Sequence, residues 1–116
     1  MKVYQCDKCK KTLISATELK LEGWTELVAG STDAAQEKHV PVVTKKCKTV
    51  KVDVGSVMHP MTAEHLIEWV ALETEQGYQI KYLKADGEPV ATFTLADGDK
   101  AVAVYAYCNL HGLWKA

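Results

Sequence analysis

The sequence predicts an all-β chain, an immunoglobulin-like β-sandwich with a short N-terminal appendage. Three observations predict it. From His39 onward, apolar and polar residues alternate in short runs, the signature of half-buried strands. Turn signals at Gln76-Gly77, Asp86-Gly87 and Asp97-Gly98 separate the later runs. The stretch before about Ala35 holds too little apolar material for a core of its own.

Residues 1–35 form the appendage. They carry Cys6-Asp7-Lys8-Cys9 in a polar, Lys-rich setting, and Ala29-Gly30-Ser31-Thr32-Asp33 reads as a connector. Residues 36–116 form the main domain. Its first run, Val40, Val42 and Val43, flanks a proline. In the second, Val50, Val52 and Val54 alternate with Thr49, Lys51 and Asp53. In the third, Ile67, Trp69 and Ala71 alternate with Glu68 and Val70, which places Trp69 in the sandwich core. Tyr78, Ile80 and Tyr82 make the fourth, Val90–Leu95 the fifth and Ala101–Tyr107 the sixth. Strands repeating at about 8–12 residues suggest a sandwich. Thr62–Trp69 also fits a helical turn, so the start of the third run stays open. Cys47 falls in a turn, Lys45-Lys46-Cys47-Lys48, as an exposed free thiol. Trp114 is expected to pack beneath the Cys108 loop.

The bulk composition bounds the function. With 116 residues, 47% hydrophobic and 25% charged, the chain suits one globular domain that buries a core without metal or disulfides. A metal here would therefore serve chemistry rather than folding. The net charge of -1 and pI of about 6.4 argue against a nucleic-acid partner, which favours a basic face. The N-terminus lacks an apolar signal-peptide core, and no run approaches the ~18 apolar residues of a membrane helix. A cytoplasmic location without membrane association is expected, with reduced cysteines available for metal.

All four histidines lie at strand ends or in loops. His39 precedes the first strand. His59 and His65 sit in the loop after Val54. His111 follows the last run in Cys108-Asn109-Leu110-His111. Cys-x-x-His lets one tight turn bring a thiolate and an imidazole to a single ion, with the N–H groups of Leu110 and His111 aimed at the sulfur. Gly112 supplies a permissive backbone after it, and Pro60 stiffens the backbone at His59. Four imidazoles and a thiolate overfill a structural zinc site. Blue copper needs two histidines and usually a methionine just downstream, and none follows His111. Square-pyramidal iron with one open position fits the donor count best. A cupredoxin-like electron carrier and a binding module with incidental histidines are the competing classes.

Three motifs, EKHVPV at Glu37–Val42, VGSVMHPMTAEHLIEW at Val54–Trp69 and YCNLHGLWKA at Tyr107–Ala116, resemble those of the superoxide reductases, the family of desulfoferrodoxin and neelaredoxin. The resemblance runs from Glu37 to the C-terminus. It implies iron, one per chain, with His39, His59, His65 and His111 in one plane and Cys108 as axial ligand. It implies that Lys38 sits over the open position, attracting the anion, and that Glu37 closes the oxidised site. The implied reaction is reduction of superoxide to hydrogen peroxide, with rubredoxin or a similar small electron donor restoring the iron. A homo-oligomer, dimer or tetramer, is expected by analogy, and the family fold is the immunoglobulin-like sandwich. The N-terminus departs from the longer members, whose desulforedoxin-like site uses four cysteines. Cys6 and Cys9 match the first pair, but Leu21–Leu27, where the second belongs, contains none. The pair reads as a relic, free or oxidised, and a metal shared between two subunits is the alternative.

Overall fold

A computed structural model describes residues 1–116. Seven strands make the sandwich: β4 (Pro41–Lys46), β5 (Thr49–Val54), β6 (Ile67–Thr74), β7 (Gly77–Tyr82), β8 (Val90–Thr94), β9 (Ala101–Cys108) and β10 (Gly112–Lys115). One sheet runs β10-β9-β6-β7 and the other β4-β5-β8, with antiparallel neighbours throughout. This is the immunoglobulin-like sandwich expected from the alternation. The six expected runs are all strands, and β10 joins them as the return arm of a hairpin with β9. The Thr62–Trp69 stretch is not helical: bends cover residues 63–65 and β6 starts at Ile67. The helix is instead α1 (Gln36–His39), a single turn whose last residue is His39.

The inner faces build the main core. Val50, Val52 and Val54 of β5 meet Ala91 and Phe93 of β8 across from Ile67, Val70, Leu72, Val104, Ala106 and Cys108. Alternation along β9 places Cys108 on this inner face, at the strand end, fully buried.

Trp69 corrects the expected alternation. The β6–β9 register shifts between Ile67 and Trp69, so the extra residue reverses the phase of the strand. Ile67 faces the sandwich core together with Val70 and Leu72. Trp69 faces outward with Ala71 and packs against Ala103, Tyr105, Tyr107 and Leu113 in a second cluster that includes Val3.

Residues of the N-terminal segment cover that outer face. β1 (Lys2–Cys6) pairs with β2 (Thr12–Ser15) and with β3 (Trp24–Glu26) to form a small sheet. Val3, with Met1, Ile14, Leu27 and Ala29, packs on the second cluster. Polar ties fix the orientation: Trp69 Nε1 donates to Thr12 Oγ1 at 3.1 Å, and Gln5 Nε2 donates to Tyr107 Oη at 2.8 Å. The segment thus borrows its core from the sandwich, which accounts for its meagre apolar content. Cys47 lies exposed in the tight β4–β5 turn at φ +55°. No helix is long and apolar enough to cross a membrane.

Candidate metal centre

Three separate stretches bring the histidines together. His39 closes α1, His59 and His65 come from the loop between β5 and β6, and His111 lies in the β9–β10 turn. Their rings form a closed circuit. Centroid separations are 4.7 Å for His39–His59, 4.7 Å for His59–His65, 5.1 Å for His65–His111 and 4.9 Å for His111–His39, all edge-on. His39 and His65 are therefore one diagonal of a square, and His59 and His111 the other. Cys108 closes one side of it, with Sγ 3.9 Å from His111 Nδ1. The ligand atoms of His39, His65, Cys108 and His111 all lie within 4.8 Å of one another.

Backbone carbonyls set the tautomers. His39 Nδ1 is 2.7 Å from the Ala35 carbonyl, and His59 Nδ1 is 2.6 Å from the Pro60 carbonyl. A carbonyl oxygen only accepts, so each Nδ1 must carry its proton. Burial pushes both imidazoles toward the neutral form, His59 down to about 4. The two Nε2 atoms then hold bare lone pairs, yet they face each other at 3.3 Å. His111 Nδ1 stands 3.1 Å from the same His39 Nε2. The buried His65 Nε2 has no partner at all. Facing lone pairs and an orphaned buried nitrogen are costly without a cation between them. Two metal–nitrogen bonds of about 2.1 Å at a right angle span about 3.0 Å, close to the observed gaps. The donor set therefore fits a metal ion, and imidazole with thiolate suits iron.

Burial raises the Cys108 thiol, while the N–H groups of Leu110 and His111 pull it down, as the Cys-x-x-His turn predicts. A metal binding there displaces the proton.

Outer contacts hold the donors in place. Trp114 stacks on His39 at 4.9 Å and 27° and donates Nε1–H to the His111 carbonyl at 3.0 Å, so its expected place beneath the Cys108 loop is where it lies. Asn109 stitches the Cys108 turn to the His65 loop. Its Oδ1 accepts from Leu66 N at 3.0 Å, its Nδ2 donates to the Glu64 carbonyl at 2.9 Å, and its own N–H reaches Leu66 O at 3.2 Å. Gly55, at φ +88°, lets α1 cross the loop after β5: an added Cβ would stand 2.4 Å from the Val57 carbonyl and 2.7 Å from that of Lys38. No residue other than glycine fits this crossing without strain. Sequence reasoning assigned no role to Gly55 or Asn109. A glycine ending an alternating strand was the available signal for one, and a turn residue inside Cys-x-x-His for the other.

Glu37 and Lys38 occupy α1 beside His39, both exposed, and neither enters an ion pair. Both lie in the helical turn that His39 closes, which sets them next to the square in sequence.

Comparison with known proteins agrees with this geometry. The family model described as Desulfoferrodoxin matches residues 31–116. A desulfoferrodoxin from Clostridium acetobutylicum is 50% identical over 96 residues, covering 82% of this chain and 74% of that protein. A desulfoferrodoxin homolog from Archaeoglobus fulgidus is 37% identical and covers 100% of this chain and 96% of its own length. Among solved structures, the superoxide reductase from Treponema pallidum superposes with a TM-score of 0.83 at 41% identity, covering 97% of this chain and 98% of that one.

Proposed function

Because this chain belongs to the desulfoferrodoxin family, we infer that it is a superoxide reductase, an iron-dependent oxidoreductase that converts superoxide to hydrogen peroxide. The observation that carries the reading is the pair of bare nitrogens, His39 Nε2 and His59 Nε2, facing each other at 3.3 Å. That arrangement is favourable around a cation and unfavourable without one.

We assign His39, His59, His65 and His111 as the four imidazole ligands and Cys108 as the thiolate ligand. His59 stands in the square through its contacts with His39 and His65. Iron, if held there, would supply the single electron that reduces the anion. The chain's own residues do the rest. Ala35 and Pro60 carbonyls hold two imidazoles in the ligating tautomer and raise their basicity. Buried Cys108 would hold the iron through its thiolate and donate charge to it. Lys38 offers a local cation on a chain of net charge -1, drawing superoxide in where the overall field does not. Glu37, on the same turn of helix, would present a carboxylate beside the metal that favours departure of anionic product.

Each turnover leaves the centre one electron short, so an external carrier must restore it. A small one-electron donor of rubredoxin type suits this: Met58 and Leu110, the chain neighbours of His59 and His111, are 63% and 59% exposed and each offers an apolar side chain for its approach. The reading places the reaction in the cytoplasm, treats residues 36–116 as the iron-binding domain with 1–35 as a dependent layer, and carries a homo-oligomer with it.

Reduction and dismutation differ in product. With an excess of one-electron reductant, iron-loaded protein should consume superoxide, form peroxide and evolve no oxygen. Oxygen evolution, or a centre filled stoichiometrically with zinc, would end the reading.

A further inference from the structure

We propose that Cys6 and Cys9 are a peroxide-oxidised dithiol that turns hydrogen peroxide into water as it closes a disulfide. The proposal rests on the superoxide reductase reading only for the source of peroxide.

The two sulfurs share one closed turn. Cys6 N donates to the Lys11 carbonyl at 2.9 Å, and Lys10 N donates back to the Cys6 carbonyl at 3.0 Å. Lys10 takes φ +62° to complete it. Within the turn, Cys9 N–H points at Cys6 Sγ from 3.4 Å. Hydrogen bonding from Cys9, its side chain first and its N–H next, lowers Cys6 below an ordinary thiol. A stabilised thiolate at the surface is the reactive form toward peroxide. Cys9 is exposed beside it, placed to resolve the product.

Metal is the other use of such a turn, and the chain does not complete it. A closed tetrahedral site needs four donors. The histidines and Cys108 all belong to the centre described above, and Cys47 lies in the β4–β5 turn of the opposite sheet. No His, Cys or carboxylate joins Cys6 and Cys9 as a third donor. Across the β1–β3 ladder, Cys6 faces Trp24, and the Asp7 carboxylate accepts from Thr25 Oγ1 at 2.6 Å. Two adjacent thiols with no further donor can still exchange two electrons. Cys9 also lines a groove of about 640 Å³ with Leu66, Tyr107 and Asn109, the chain neighbours of His65 and Cys108, so the pair opens toward the peroxide-producing end of the sandwich.

The steps balance. Cys6 thiolate attacks one peroxide oxygen and the O–O bond breaks. Cys6 becomes a sulfenic acid, and the departing hydroxide takes a proton to become water. Cys9 sulfur then attacks the Cys6 sulfur, the S–O bond breaks, and a second water leaves with the Cys9 proton. The dithiol gives up two electrons and peroxide takes both. An external dithiol reopens the bridge by exchange.

The test treats reduced, iron-loaded full-length protein with one equivalent of hydrogen peroxide and maps its thiols by mass spectrometry. Cys47, an exposed lone thiol, is the internal control. The expected result is a Cys6–Cys9 bridge, seen as a loss of two hydrogens in the peptide carrying both, forming at least about tenfold faster than Cys47 reacts. Cys9→Ser should stop at a sulfenic acid on Cys6 that a 1,3-dione captures, and Cys6→Ser should give no capture at Cys9. Oxidation of the pair no faster than that of Cys47, or stoichiometric metal that is lost from the Cys6→Ser variant, would overturn the proposal. Peroxide is added directly, so failure here is separate from failure of the superoxide reading, which oxygen evolution and iron content decide.

Discussion

Cys108 lies fully buried at the end of β9, grouped with His39, His65 and His111, whereas Cys6, half-buried, and Cys9, exposed, share one turn with no third donor. The centre draws ligands from α1, the β5–β6 loop and the β9–β10 turn, and each is braced from outside by a carbonyl, an indole or an amide. The pair is held by its own turn and by the neighbouring β3 strand, through the Asp7 N–H to the Gly23 carbonyl at 2.9 Å and Thr25 to Asp7. The contrast shows what turns cysteine into a ligand. Enclosure among imidazoles removes Cys108 from attack and suits its sulfur to a metal. Exposure leaves Cys6 and Cys9 free to gain and lose electrons themselves.

The sharpest break in this contrast is Cys108→Ser. The iron-loaded variant should lose the thiolate-to-iron charge-transfer band completely, read in the visible spectrum, while the Cys6–Cys9 pair titrates as before. Survival of the band would remove Cys108 from the ligand set. A smaller effect is expected of Asn109→Ala, which deletes the two side-chain bonds to Leu66 and Glu64 and spares every donor. Loosening the support of a metal ligand typically costs 10–100-fold in affinity, so the variant should release iron to a chelator about that much more readily. Unchanged retention would mean that Thr62, whose Oγ1 accepts from His65 N at 3.1 Å, holds the His65 loop without help.

The sandwich and the gathering of His39, His65, Cys108 and His111 at one end of it were legible because their signals are local. Period-2 alternation marks β5 directly, and histidines beside Gly, Pro and Cys in loops stand out from a core pattern. What was not legible depends on distant partners. Trp69 reads as a core residue until the register shift at Glu68 is known, since one inserted residue exchanges the faces of the strand. β1 and β2 show little amphipathic pattern because their buried side rests on Trp69, Tyr105 and Tyr107, residues far along the chain. The closed circuit of rings was beyond spacing too. Spacing proposes which residues are donors, but only the Ala35 and Pro60 carbonyls reveal which nitrogen of His39 and His59 is free. The placement of Trp114 beneath the Cys108 loop was anticipated. Its stacking on His39, reached from the opposite end of the domain, was not.

The smallest expected effect separates the two regions by the charge of what each reacts with. Superoxide is an anion at neutral pH and hydrogen peroxide is uncharged. Lys38 stands exposed in α1, directly before His39. An exposed charge steers by its field, and the Debye length falls from about 30 Å at 0.01 M salt to about 3 Å at 1 M. Lys38→Ala should therefore slow superoxide consumption by roughly tenfold at low salt, with iron content unchanged, and the deficit should shrink toward nothing at high salt. Lys38→Arg, which keeps the charge, should recover most of the rate. Lys8, Lys10 and Lys11 surround the cysteine pair, yet a neutral oxidant gives them no charge to attract, so peroxide oxidation of Cys6 should show no comparable dependence on Lys38. Fast kinetics of both reactions across a salt series measures this. A Lys38→Ala rate equal to that of the unaltered protein at every salt concentration would leave Lys38 an ordinary solvated charge and return the attraction of superoxide to the metal alone.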